Sequence, residues 1–155
     1  MEKIDNLDKK ILNIIMHNAR IASKDVAEEC GVSRAAIHQR IQRLIEMKII
    51  TGSGYRVDPK MLGYNTCTYI GVSIEKGSMY RDVVKELEAI PEVVESHYTT
   101  GPYSMIIKVY AIDNQHLMQL INDRIQRIPG VKETETMISL DQSMCRPISI
   151  PVEDE

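Results

Sequence analysis

Ile90-Pro91-Glu92-Val93-Val94-Glu95-Ser96-His97-Tyr98-Thr99-Thr100 returns in pattern 38 residues later as Ile128-Pro129-Gly130-Val131-Lys132-Glu133-Thr134-Glu135-Thr136-Met137-Ile138. The same shift lays Tyr69-Ile70-Gly71-Val72-Ser73-Ile74 on Ile107-Lys108-Val109-Tyr110-Ala111-Ile112. Between these segments, Met79, Val83, Val84 and Leu87 have helical spacing in the first copy, as do Leu117, Met118, Ile121 and Ile125 in the second. Each copy therefore reads strand, helix, Ile-Pro turn, strand. Two copies in series predict βαββαβ, the ferredoxin-like fold, with both helices on one face of an antiparallel sheet. The other face, bearing side chains such as Tyr69, must be covered. The simplest cover is a second copy of the chain, which predicts a homodimer.

The N-terminal part has a different rhythm. Asp5 can cap a first helix with Leu7, Ile11, Ile14 and Ile15 on its inner side. Ser23 and Ser33 are good caps for two further helices. Val26 and Cys30 share one face of the earlier of these, and Ala27 permits close approach to the next. Gly31 follows at a position that needs positive φ, and Val32 plugs the corner. Ile37, Ile41, Leu44 and Ile45 then predict the buried stripe of the later helix. Two short helices joined by a tight turn make a helix-turn-helix. Residues 48–58 read as two short strands around Gly52-Ser53-Gly54, which would complete a winged form. That Gly-rich turn lacks the spacing and the strand-then-helix context of a phosphate-binding loop. The expected class is α+β: a winged helix-turn-helix over residues 1–60, with a linker from Asp58 to Gly63, then a ferredoxin-like domain over 61–155.

Charge divides the chain the same way. Residues 1–60 carry 11 Lys and Arg against 8 Asp and Glu, whereas residues 61–155 carry 8 against 14. The overall net charge of −3 hides a basic N-terminal half suited to phosphate contact. A protein that packages DNA without selectivity would be more basic throughout. No apolar run approaches the roughly 18 residues of a membrane span, and the first residues lack the form of a signal peptide. Both point to a cytoplasmic protein with no membrane partner. Cys30, Cys67 and Cys145 are odd in number and widely spaced, which suggests neither a disulfide framework nor a zinc site.

The face opposite the apolar stripe of the third helix offers candidate DNA contacts. Ser33, Arg34 and Ala35 open it, and His38, Gln39, Gln42 and Arg43 extend it. Arg34, His38 and Gln42 lie at i, i+4 and i+8. The start of such a helix enters the major groove, where Arg can pair with guanine and Gln with adenine. Ser33 and the first amides suit a phosphate. Arg40 and Arg43 are expected at the DNA backbone, or paired with an acid such as Glu46. Arg20, Lys24 and Arg56 are further phosphate candidates. The four histidines are scattered, and no catalytic residues, metal ligands or cofactor are expected. Two other readings stay open: a small-molecule-binding ferredoxin-like enzyme with an accessory helical domain, and a ligand-independent architectural DNA-binding protein.

The ordered set of motifs resembles the Lrp/AsnC (leucine-responsive/asparagine-responsive, or feast/famine) family of transcription regulators, over essentially the whole chain. The resemblance is carried by Leu7-Asp8-Lys9-Lys10-Ile11-Leu12, Ala19-Arg20-Ile21 and the helix-turn-helix with Arg40-Ile41-Gln42-Arg43-Leu44. Ile50 with Gly52, Asp58-Pro59 before Leu62-Gly63, Thr100-Gly101-Pro102-Tyr103, Ile128-Pro129-Gly130-Val131 and Thr134-Glu135-Thr136 complete it. The resemblance implies sequence-specific binding to double-stranded DNA as a dimer, assembly to a higher oligomer, commonly an octamer, and response to a small molecule, usually an amino acid. It places the effector at a dimer–dimer contact near Thr99, Thr100, Gly101, Tyr103 and Ser104 and the last strand, with Thr134, Thr136 and Ile138. Many members carry an Asp where this chain has Ser104. A carboxylate suits an ammonium group, whereas serine supplies a neutral hydroxyl. The departure implies weak binding, broad selectivity or a ligand without an ammonium.

Overall fold

The structure is a computed structural model that describes residues 4–153. The described residues form two compact units, 4–56 with 144–153, and 57–143. The expected division near residue 60 moves by a few positions. Residues 144–153, expected in the C-terminal domain, group with the N-terminal unit.

In the N-terminal unit, α1 (Asn6–His17) starts on a capping box. The Asp5 carboxylate accepts from the Asp8 amide at 2.8 Å, and the Asp8 carboxylate accepts from the Asp5 amide at 3.0 Å. Two otherwise unpaired amides are thereby satisfied. α2 (Ser23–Cys30) ends at Gly31, whose φ of 68° is left-handed and favours glycine. α3 (Arg34–Glu46) begins on Ser33, whose hydroxyl accepts from the Ala36 amide at 3.2 Å. Ser23 is not a cap. It is the first residue of α2, and Ala22 holds the cap position without a side-chain bond. Ile11, Val26, Ala27 and Ile37 form the core, with Leu7, Ile14, Ile15, Ile21, Cys30, Val32 and Ile41 packed around it. Ile45, expected in the stripe, is 44% exposed. Ile37, Ile41 and Leu44 hold the inner line, and Ile45 sits a further 100° around the helix. The two expected wing strands are absent, since residues 51–57 carry no regular structure and are exposed. A two-stranded hairpin is marginal unless something covers it, and Tyr55 and Val57 stand in solvent.

The C-terminal unit follows the repeat. β1 (Thr66–Ile74), α4 (Tyr80–Glu88), β2 (Val93–Tyr98), β3 (Met105–Ala111), α5 (Asn114–Gln119) and β4 (Val131–Ser139) give βαββαβ. The sheet order is β2-β3-β1-β4, and every pair is antiparallel. A π-helical turn, Leu120–Ile125, continues α5. Thr68, Ile70 and Val72 of β1 and Met105, Ile107, Val109 and Ala111 of β3 are buried on the helix side. Val83 and Leu87 of α4 and Leu117, Leu120 and Ile125 of the second helix cover them. The alternate residues of each strand define the opposite face. There Lys108 pairs with Glu95 at 3.2 Å and lies over the rings of Tyr69 and Tyr110, at 5.8 and 5.6 Å from their centres. Burial works to lower the Lys108 pKa, but the Glu95 hydrogen bond and its charged neighbours raise it above the ordinary lysine value.

Candidate nucleic-acid interface and effector site

The start of α3 presents Ser33, Arg34, Ala35, His38, Gln39 and Gln42 to solvent. The apolar stripe on the other side of the helix fixes which residues face out. Gln42 reaches back to Glu46 at 3.5 Å, a weak tie that leaves its amide available. Arg34 and His38 make no hydrogen bond or ion pair within the described residues.

Arg43 differs from this group. Its Nη2 donates to Asp8 at 2.6 Å, and Arg40 donates to Asp8 at 2.9 Å and to Asp5 at 2.6 Å. The Asp8 side chain is fully buried. One carboxylate on α1 thus holds two guanidiniums of α3, one turn apart. The Arg40 hydrogen bond holds the Asp5 carboxyl below the usual carboxylate range, and its partners raise the Arg40 pKa in return. Of the two expected roles for Arg40 and Arg43, backbone contact or pairing with an acid, the structure shows a pairing, with Asp8 in place of Glu46. The Arg43 charge is engaged inward by an acid 35 residues away in sequence, and Glu46 plays no part. Asp8 is the functional residue that sequence reasoning missed. The available signal was an acid three residues after the Asp5 cap, the spacing of a capping box.

The expected effector residues fall into two groups. In the turn between β2 and β3, the Thr99 amide donates to the Ser104 carbonyl at 3.0 Å, and the Thr99 hydroxyl donates to the Tyr103 carbonyl at 3.1 Å. Gly101, at φ 112°, lets the turn close, and Thr100 is exposed. Ser104 Oγ accepts from the Ile74 amide at 3.1 Å, where the pairing of β1 with β4 slips. That hydroxyl is already occupied by the fold. Tyr103 lies across the open face of β1. A Cβ at Gly71 would sit 2.6 Å from its ring, so only glycine admits it there. The Tyr103 hydroxyl donates to Glu135 Oε2 at 2.6 Å, and this bond raises the tyrosine pKa. Thr134, Thr136 and Ile138 pair with Val72, Ile70 and Thr68, and so share the helix-side face. Thr134 Oγ1 accepts from Gln126 of the π-helical turn at 2.8 Å. Within one chain, Tyr103 and the two threonines therefore lie on opposite faces of the sheet. Glu135, which the sequence reading did not single out, is the residue that meets Tyr103.

The model of the Lrp/AsnC ligand binding domain matches residues 67–148, and a winged helix-turn-helix DNA-binding model matches residues 4–51. The regulatory protein AsnC of Haemophilus influenzae is 37% identical over 148 residues, spanning 96% of this chain and 99% of its own. The structure of Escherichia coli AsnC superposes with a TM-score of 0.90 at 38% identity, covering 96% of this chain and 99% of that one. A transcriptional regulator from Neisseria meningitidis, solved as a complex with L-Met, shares the fold at a TM-score of 0.89 and 20% identity, covering 96% of this chain and 97% of that one.

Proposed function

The chain belongs to the Lrp/AsnC family of transcription regulators, and from that premise we propose that it binds operator DNA through the exposed face of α3 under the control of a small metabolite. The observation that carries this reading is the sorting of side chains on α3. Arg34, His38 and Gln42 are left outward and accessible, while Arg40 and Arg43 are drawn inward onto Asp8. Arg34 and Gln42 supply the hydrogen bonds that distinguish base pairs in the major groove. Ser33 and the first amides of α3 receive a phosphate.

The effector in this reading is an amino acid or a similar polar metabolite, taken at an assembly contact that includes the turn 99–104 and β4. Ser104 is bonded to Ile74 and supplies no charge, so Glu135 beside Tyr103 is the nearer partner for an ammonium group. The open sheet face is the dimer contact. It presents Tyr69 and Met137, 37% and 41% exposed, beside the Lys108–Glu95 ion pair. Further assembly of dimers, to an octamer, follows from the family premise, as does action in the cytoplasm. Among the described residues, no helix is long and apolar enough to cross a membrane. Selection of duplexes from a random library, followed by titration calorimetry with each of the twenty amino acids, tests both halves. A protein that enriches no sequence is not a regulator of this kind. One that enriches a sequence but binds no amino acid keeps the first half and loses the second.

A further inference from the structure

After β4 the chain returns to the N-terminal unit, and residues 144–153 lie along α1. Asn6 Nδ2 donates to the Glu153 carbonyl at 3.0 Å, and Asn6 Oδ1 accepts from the Glu153 amide at 3.3 Å. This reciprocal pair copies the bridge one strand backbone makes with another. Asn13 Nδ2 donates to the Ile150 carbonyl at 2.9 Å, and Lys9 Nζ pairs with the Glu153 carboxylate at 3.0 Å. The spacing fits an extended peptide. Seven helical residues from Asn6 to Asn13 rise about 10.5 Å, and three extended residues from Ile150 to Glu153 span about 10 Å. Three of the four bonds grip the peptide backbone, and Lys9 adds a preference for an acid at position 153.

The same helix holds α3 from its other side. Asp8 lies roughly half a turn away from Asn6 and Asn13 around α1, and it fixes Arg40 and Arg43. We propose that the outer edge of α1 is a binding site for an extended, acidic peptide, that its occupant is the chain's own C-terminal tail, and that this docking steadies the recognition helix α3 through Asp8 of α1. The effect on duplex affinity rests on the regulatory reading above; the docking itself does not.

The test uses the full-length protein. Asn6→Ala with Asn13→Ala removes the backbone grip, Lys9→Glu reverses the charge, and Lys9→Glu with Glu153→Lys restores a pair. Amide hydrogen exchange is followed along α1 and α3, and affinity for a library-selected duplex is measured by fluorescence anisotropy. The double alanine variant is expected to speed α1 exchange about fivefold or more, the effect of one lost hydrogen bond of ordinary strength. Exchange in α3 should rise with it, and duplex affinity should fall. Lys9→Glu should act in the same direction, and the exchanged pair should recover the wild-type values, which a merely misfolded variant would not. Unchanged α1 exchange in both variants overturns the docking. Faster α1 exchange with α3 exchange and duplex affinity unchanged overturns the coupling. If the wild-type protein selects no duplex, the regulatory reading fails instead, and α3 exchange alone decides the coupling.

Discussion

The N-terminal unit is held by a small apolar core and a dense set of polar ties between its helices, whereas the C-terminal unit rests mainly on a large apolar core, with polar ties such as Lys108–Glu95 and Tyr103–Glu135 outside it. Among the described residues, thirteen buried apolar side chains form the core of the C-terminal unit, against four in the main N-terminal cluster. A unit that small buries too little apolar surface to be secure. It compensates with the capping box, the Asp8–Arg40–Arg43 cluster and the strapped tail. Those ties are directional and specific, so single polar substitutions should be felt far more in the DNA-binding unit than in the sheet unit.

The largest break in this contrast is Asp8→Ala. It takes the shared acid from two partly exposed guanidiniums, of which Arg40 keeps Asp5, and should cost about 1.5–3 kcal/mol, the worth of a charged hydrogen bond. We expect the N-terminal unit to unfold at lower temperature while amide protection in β1 and β3 is retained, as followed by hydrogen exchange on heating. Gly71→Ala is the counterpart on the sheet. Its Cβ would strike the Tyr103 ring, at about 1–3 kcal/mol for overpacking. Tyr103→Ala in the same chain should remove most of that cost in a denaturation series. Ser33→Ala sharpens the comparison from the other side, because the lost cap on α3 should cost about 1 kcal/mol and should appear only in the N-terminal transition.

The smallest expected effect is on acid sensitivity. The Asp5 carboxyl, hydrogen-bonded by Arg40, has its folded pKa below the ordinary 3.8. A group depressed in this way contributes stability above its unfolded pKa and loses it as the pH falls through the folded value. Thermal melts taken below pH 3.8 should therefore show the N-terminal unit losing stability, and Asp5→Asn should lose less over the same range.

What the sequence disclosed was local. The repeat at 38 residues placed the strands and helices of the sheet unit, because each copy carries its own periodicity and turn. Gly31 and Ser33 marked the turn of the helix-turn-helix, because left-handed backbone and capping are properties of one residue and its near neighbours. What it withheld was distant. Asp8 and Arg43 meet across 35 positions, and Asn6 and Glu153 across 147. No periodicity encodes such a pairing. The wing strands misled because alternation and a Gly-rich turn specify a hairpin only when a partner surface covers it; Tyr55 meets only the Arg20 guanidinium among the described residues, and it and Val57 stay largely exposed. The effector residues were assembled by resemblance. Strand register then separated Tyr103 from Thr134 and Thr136, and put Glu135 beside the tyrosine.

The central claim is that α3 divides its cations by role, Arg34 for reading DNA and Arg43 for holding the helix in place. Anisotropy titrations of Arg34→Ala and Arg43→Ala, on a library-selected duplex and on a scrambled one, run beside thermal melts, test it directly. We expect Arg34→Ala to weaken the selected duplex by about 1–3 kcal/mol, with little change on the scrambled duplex or in the melt. Arg43→Ala should lower the N-terminal melting transition and weaken both duplexes alike. If Arg34→Ala binds both duplexes as the wild type does, or if Arg43→Ala melts normally yet loses the selected duplex alone, the division is wrong.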